Sequence, residues 1–124
     1  MEAAVTEAIG HCKRPDAVGA RLFDGQHVRF ELADCATLAR VARVFVDDCV
    51  TRQVRGDLDA QTASMAKAWV TETQCAVVAR CLEFFDIDAC RADNPVARML
   101  LDSRAQPIYG GTNEVMKELI ARAL

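Results

Sequence analysis

The residues Ile108-Tyr109-Gly110-Gly111-Thr112-Asn113-Glu114 form the stretch of this sequence best suited to meeting a ligand. Two consecutive glycines let main chain approach a bound group closely. The threonine after them reads as the cap of a helix whose first N–H groups are free to hold an anion. The same residues are equally the makings of a plain turn and a capped helix, and their chemistry alone does not choose between the two. The rest of the chain offers little to catalysis. It contains no Gly-x-Ser-x-Gly, no phosphate loop with its lysine and no dinucleotide fingerprint after a strand. Asp47 and Asp48 adjoin in sequence but diverge on a helix, so they read as a solvated face and not as an acid/base pair. Cys12, Cys35, Cys49, Cys75, Cys81 and Cys90 include no Cys-x-x-Cys, and His11 and His27 stand apart from any zinc spacing, so no metal is expected. Lying among Ala, Val and Leu, most of these cysteines read as small buried hydrophobes in a reducing compartment.

The elements that must position the glycine turn follow from the breakers. Proline occurs only at 15, 95 and 107, which leaves long intervals free to be helical. The spacing predicts a helix over Glu2 to Arg14. A long helix follows, with Asp24 as N-cap, carrying Val28, Leu32, Cys35, Ala39, Ala42, Val46 and Cys49 on one side up to Gly56. A second long helix starts between Asp59 and Thr62 and carries Ala66, Val70, Val77 and Cys81. Asn94-Pro95 opens a short helix through Ser103 that Pro107 ends, and Thr112 caps a terminal one. No segment alternates like a strand, so the expected fold is all-α, an antiparallel four-helix bundle with a short extra helix, in one domain over 1–124. Hydrophobic residues at 52% and charged residues at 27% fit a globular chain. The net charge of -3 and the scattered Lys and Arg argue against nucleic acid. No apolar run is long enough to cross a bilayer and the N-terminus lacks an export signal, so the expected address is cytoplasmic. Val41, Phe45 and Val46 beside Leu38 and Ala42 spread apolar side chains over more than one helix face, which predicts an oligomer.

From Gln106 to Arg122 the sequence resembles the C-terminal signature of the flavin-dependent acyl-CoA dehydrogenases, nearest to the long-chain type. The likeness extends through Asn94-Pro95-Val96-Ala97-Arg98, Ser64-Met65-Ala66-Lys67 and Gln26-His27-Val28-Arg29-Phe30-Glu31-Leu32-Ala33-Asp34, in the family's order. It implies a C-terminal helical-bundle domain, in agreement with the periodicity. It further implies Tyr109 and Gly111 as substrate-binding residues and Gln26, Thr112, Asn113 and Glu114 as cofactor-binding ones.

The departures from the family are as informative. Its enzymes carry two further domains, expected to be absent here, that help enclose FAD and the acyl-CoA. Most take the catalytic base from a Glu one residue before the Gly-Thr pair, where this chain has Gly110, while the long-chain and isovaleryl types take it from the first bundle helix, upstream of Met1. No catalytic residue is therefore assigned. The family's Gln-x-x-Gly-Gly-x-Gly reads Glu83-Phe84-Phe85-Asp86-Ile87-Asp88-Ala89 here, exchanging glycines for bulk and negative charge. Its Arg-x-x-Phe-Gly is reduced to Pro15-Asp16-Ala17-Val18-Gly19 with Arg14 displaced. The resulting expectation is a short, non-catalytic subunit of an FAD-dependent acyl-thioester dehydrogenase assembly. It is inactive alone, joined to a full-length chain or to copies of itself, and binds FAD only in such a complex. The alternatives are a C-terminal fragment of a full dehydrogenase and a stand-alone helical oligomer that binds acyl thioesters without redox activity.

Overall fold

A computed structural model describes all 124 residues and contains five α-helices: α1 (Glu2–Lys13), α2 (Gln26–Arg55), α3 (Ala60–Glu83), α4 (Pro95–Ser103) and α5 (Asn113–Arg122). Two 3-10 turns, Leu22–Asp24 and Asp86–Cys90, lie in the connections, and the only β pairing is one isolated bridge between Pro15 and Arg21. Helices α1 to α4 run alternately up and down around one core, and α5 packs on α3 alone. This is the expected four-helix bundle with a short extra helix. None of the helices is long and apolar enough to cross a membrane.

Sequence sets the helix boundaries through caps. The Asp59 carboxylate accepts the Thr62 N–H at 2.7 Å, and Asn94 Oδ1 accepts those of Val96 and Ala97 at 2.9 and 3.2 Å, with Pro95 pre-set for the first turn of α4. Gly56, at φ +79°, closes α2 in the left-handed region that an L side chain resists. Asp24 does not cap α2 as expected. Its carboxylate is held by the Arg21 guanidinium at 2.8 and 3.2 Å, its residue closes the 3-10 turn, and Gly25 takes the cap position without a side-chain bond. Nor does Pro107 end α4. The helix stops at Ser103, whose hydroxyl turns back to the Leu100 carbonyl at 2.8 Å, and the chain continues in turns through Gly110.

The core consists of small side chains at close approach. Ala4, Val5, Ala8 and Cys12 of α1 meet Leu32, Cys35 and Ala39 of α2, Val77, Val78 and Cys81 of α3, and Val96 of α4. Burial drives the Cys81 thiol up to about 12, so it stays protonated as an apolar filler. Arg80 ties α3 to α2 through Glu31 at 2.6 Å and Asp34 at 3.6 Å. Farther along α2, Val41, Val44, Val50 and Val54 are exposed, while Phe45 is half-buried against Trp69 with ring centroids 6.4 Å apart.

Candidate functional site

The glycine turn sits where the connection after α4 swings back onto the first half of α3. Gly110 and Gly111 have φ of +67° and +95°, and the Thr112 hydroxyl accepts the Val115 N–H at 3.4 Å to start α5. The amides of Gly110, Gly111 and Thr112 donate to no group of the chain, so three successive N–H groups lie open beside the positive end of α5. Such an arrangement can hold a carbonyl oxygen or a phosphate. Positive φ favours glycine at both positions; a Cβ at Gly110 meets open space, whereas one at Gly111 lies 2.6 Å from Met116 Cε and requires the flexible end of that side chain to move.

A polar knot beneath the turn holds it in place. Lys67 Nζ donates to the Pro107 carbonyl at 3.0 Å and to Asn113 Oδ1 at 2.7 Å. Asn113 Nδ2 donates to the Ala68 carbonyl at 3.2 Å and Thr71 Oγ1 at 3.0 Å, and the Asn113 main-chain N–H donates to Pro107 O at 3.0 Å. Lys117 closes the knot on Glu72 at 2.7 Å and holds that carboxyl below its usual range. With only 2% of its surface exposed, Asn113 has its amide and its N–H committed inside the chain. Lys67, which the sequence reading did not single out, is the hub. Its sequence signals are a lone cation among Ser64, Met65, Ala66 and Ala68 and its place in the segment Ser64-Met65-Ala66-Lys67 that carries the family likeness.

Among the other expected site residues, Tyr109 stands exposed beside the turn, Gly111 and Thr112 are half-buried within it, and Glu114 is exposed on the first turn of α5. The Glu114 carboxyl is lowered by its own N–H and by the Thr112 hydroxyl, so it is an acceptor already engaged. Gln26 begins α2 at the opposite end of the bundle. Glu31 meets Arg80 whereas Asn113 meets Ala68, a separation of about 18 Å along α3 at 1.5 Å per residue, with Gln26 farther still. One copy of the chain therefore does not bring Gln26 and the glycine turn into one site.

The end that holds Gln26 also carries the altered loop. Phe85 stacks on His11 at 4.3 Å, Asp86 adopts φ +47°, and Ile87 is 80% exposed. Asn94 Nδ2 holds the Asp88 carbonyl at 3.0 Å, leaving both the Asp86 and Asp88 side chains toward solvent. Asp86 thus keeps a backbone conformation suited to glycine while adding a carboxylate. A flavin pyrophosphate does not fit this segment: it presents Cβ atoms and negative charge where a diphosphate requires close amide donors.

Residues 1–124 match the family model described as acyl-CoA dehydrogenase, C-terminal domain. Over 118 residues the chain is 40% identical to the mitochondrial long-chain specific acyl-CoA dehydrogenase of Mus musculus, covering 95% of this chain and 27% of that protein. It superposes with a TM-score of 0.93 on the crystal structure of the acyl-CoA dehydrogenase from Geobacillus kaustophilus, at 33% identity, over 98% of this chain and 32% of that one. Butyryl-CoA dehydrogenase from Megasphaera elsdenii gives a TM-score of 0.92 at 28% identity, again over 98% and 32% of the two chains. The chain spans about a third or less of the length of these relatives.

Proposed function

Since the chain belongs to the acyl-CoA dehydrogenase family as its C-terminal helical domain, we propose that it serves as a short subunit of an FAD-dependent acyl-thioester dehydrogenase assembly and is inactive alone. One observation carries this reading: the chain keeps what builds and holds the glycine turn but not what reacts there. The Lys67–Asn113 knot, the left-handed glycines and the free amides are all present, while Gly110 occupies the position of the common base and Asp86, Ile87 and Ala89 replace phosphate-facing glycines.

FAD, when bound, supplies the acceptor for the β-hydride of the thioester. The residues of this chain that face such a site are Tyr109, Gly111, Thr112 and Glu114 at one end and Gln26 at the other. Asn113 acts by positioning the turn. The free amides of Gly110 to Thr112 hold an oxygen of the acyl thioester or the flavin, and the chain itself moves no proton. Flavin is carried by full-length partner chains, so an assembly holds fewer flavins than chains. The cytoplasmic address belongs to the same reading. A second reading, a C-terminal piece of a longer dehydrogenase, is favoured by the matched share of 27% of the mouse protein, and reading the DNA upstream of the first codon decides it.

The test is co-expression with a full-length acyl-CoA dehydrogenase, followed by copurification and a visible spectrum. The chain alone is expected to be colourless and unable to reduce a dye, and the complex yellow with less than one flavin per chain. A yellow, dye-reducing preparation of the chain alone defeats the proposal.

A further inference from the structure

Helix α2 turns Leu32, Cys35, Ala39, Ala42 and Cys49 to the inside of the bundle, and its opposite side carries a stripe of exposed residues. The stripe runs through Thr37, Arg40, Val44, Asp48 and Thr51 at three- and four-residue steps, over about 21 Å at 1.5 Å per residue. Val44 at its centre is 57% exposed, and Val41 beside it is 50% exposed. Together with Arg40, Phe45 and Asp48 these valines frame an open hollow of about 420 Å³. Helices α4 and α5 do not touch α2, and α1 and α3 pack on its other side.

The chemistry of the stripe is symmetric about Val44. Arg40 stands four residues before it and Asp48 four after, with opposite charges, while a threonine stands seven residues away on either side. Neither charge is used within the chain. The ion pairs of α2 employ Glu31, Asp34, Arg43, Asp47 and Arg52, and Arg40 and Asp48 enter none of them. The threonine hydroxyls are already committed: Thr37 donates to the Ala33 carbonyl and Thr51 to the Asp47 carbonyl, each at 2.8 Å, so covering them orphans no donor.

A two-fold axis turns this pattern into a fit. When two copies of α2 lie antiparallel with Val44 on the axis, a residue some number of places before Val44 in one copy meets the residue the same number of places after it in the other. Arg40 then faces Asp48 of the second copy, twice over, Val44 meets Val44, and Thr37 meets Thr51. Parallel pairing sets like charges against each other, and a slide of one turn sets Arg40 or Asp48 against Val44. The charges thus select one direction and one register, and the surface that answers them is the same surface on another copy.

We propose that this stripe is the self-association face of the chain, on which α2 packs antiparallel against α2 of a second copy about a two-fold axis at Val44, with reciprocal Arg40–Asp48 pairs. The inference rests on the reading of the chain as a member of an assembly and names the contact between its copies. It is tested without any full-length dehydrogenase, so the two readings fail separately. Sedimentation equilibrium of the purified 124-residue chain, in reducing agent and across the micromolar range, is expected to approach twice 13.6 kDa. Arg40→Glu and Asp48→Arg, both at exposed positions, are each expected to weaken the dimer about tenfold or more with unchanged helical circular dichroism, because each sets like charges face to face. An equal mixture of the two variants restores the dimer, since every junction again joins opposite charges, and the double variant Arg40→Glu/Asp48→Arg restores it with itself. A monomeric wild type, a single reversal that associates as well as the wild type, or a mixture that stays monomeric overturns the proposal. So does a wild type that is monomeric alone but loses copurification with a full-length dehydrogenase on Arg40→Glu, which assigns the stripe to that partner.

Discussion

With two hydrogen bonds from one ammonium group, Lys67 ties α3 to a carbonyl 40 residues away and to the amide that begins α5. Replacing it by Met keeps the length but removes both charge-assisted bonds, leaving Pro107 O with the Asn113 N–H alone and Asn113 Oδ1 with the Thr71 hydroxyl alone, so Lys67→Met is expected to lose about 1–3 kcal/mol in urea unfolding. Hydrogen exchange at the Asn113 amide, which donates to the Pro107 carbonyl, should rise more than in the α1–α2 core. A variant as stable as the wild type would show that the knot only decorates the turn. The two glycines separate by the same logic. Gly111→Ala meets both a positive φ and Met116 Cε at 2.6 Å, whereas Gly110→Ala meets only the positive φ. Each is expected to cost about 1–2 kcal/mol from the left-handed backbone, with a further loss of about 0.5 kcal/mol at 111 where the flexible end of Met116 must move, and Met116→Ala should relieve that further part. Equal losses at the two positions would refute the packing argument.

Between elements, the ties are mostly Arg–carboxylate pairs, and they give the bundle a pH dependence. Glu31 is held below its ordinary value first by its hydrogen bond to Arg80, Glu72 by Lys117, and Asp59 by the Thr62 N–H. Carboxyls lowered in the folded state contribute stability above their unfolded values and lose it as pH falls through their folded ones. The melting temperature should therefore hold near neutrality and decline once pH drops below the ordinary carboxylate range. Arg80→Gln is expected to make that decline shallower, and an unchanged slope would remove the α2–α3 pair from the account. At this scale the sequence was largely readable. Asn94-Pro95, Asp59 and Thr112 announce their helices by local chemistry, and each caps as its type predicts. Asp24 misleads because Arg21, three residues back, competes for its carboxylate. Lys67 was not legible as a hub, because its partners lie 40 and 46 residues away and only the packing of α5 on α3 brings them within reach. The free amides at Gly110 to Thr112 could be anticipated from the glycine pair. That Asn113 looks inward could not.

For the molecule as a whole, the exposed valines of α2 set the expectation of self-association or pairing. Val41 and Val44 stand outside the core, whereas Phe45 leans on Trp69, so Val41 is the position that tests an interface without disturbing the bundle. Light scattering at micromolar concentration should show at least a dimer, and Val41→Asp should yield a folded species of lower mass, since apolar area contributes roughly 25 cal/mol per Å² removed from water. A wild-type monomer, or a variant with unchanged mass, contradicts the assignment of this face. The separation of Gln26 from the glycine turn gives the same scale a second meaning: only a neighbouring chain can bring two such ends together over one ligand.

Four of the six cysteines, Cys12, Cys35, Cys49 and Cys81, are buried in the folded chain, Cys75 is half-covered with its thiol on the Ser103 carbonyl, and only Cys90 is exposed. Burial therefore keeps Cys12, Cys35, Cys49 and Cys81 protonated and away from solvent, with the Cys35 and Cys81 thiols lying against each other. Once the helices separate, the sulfurs all enter water on one flexible strand, where their ionisation reverts toward that of a free thiol and scrambled cross-links form faster than the bundle can reassemble. In air, heating then becomes a one-way process whose midpoint moves with scan rate, whereas a reducing agent restores a repeatable transition.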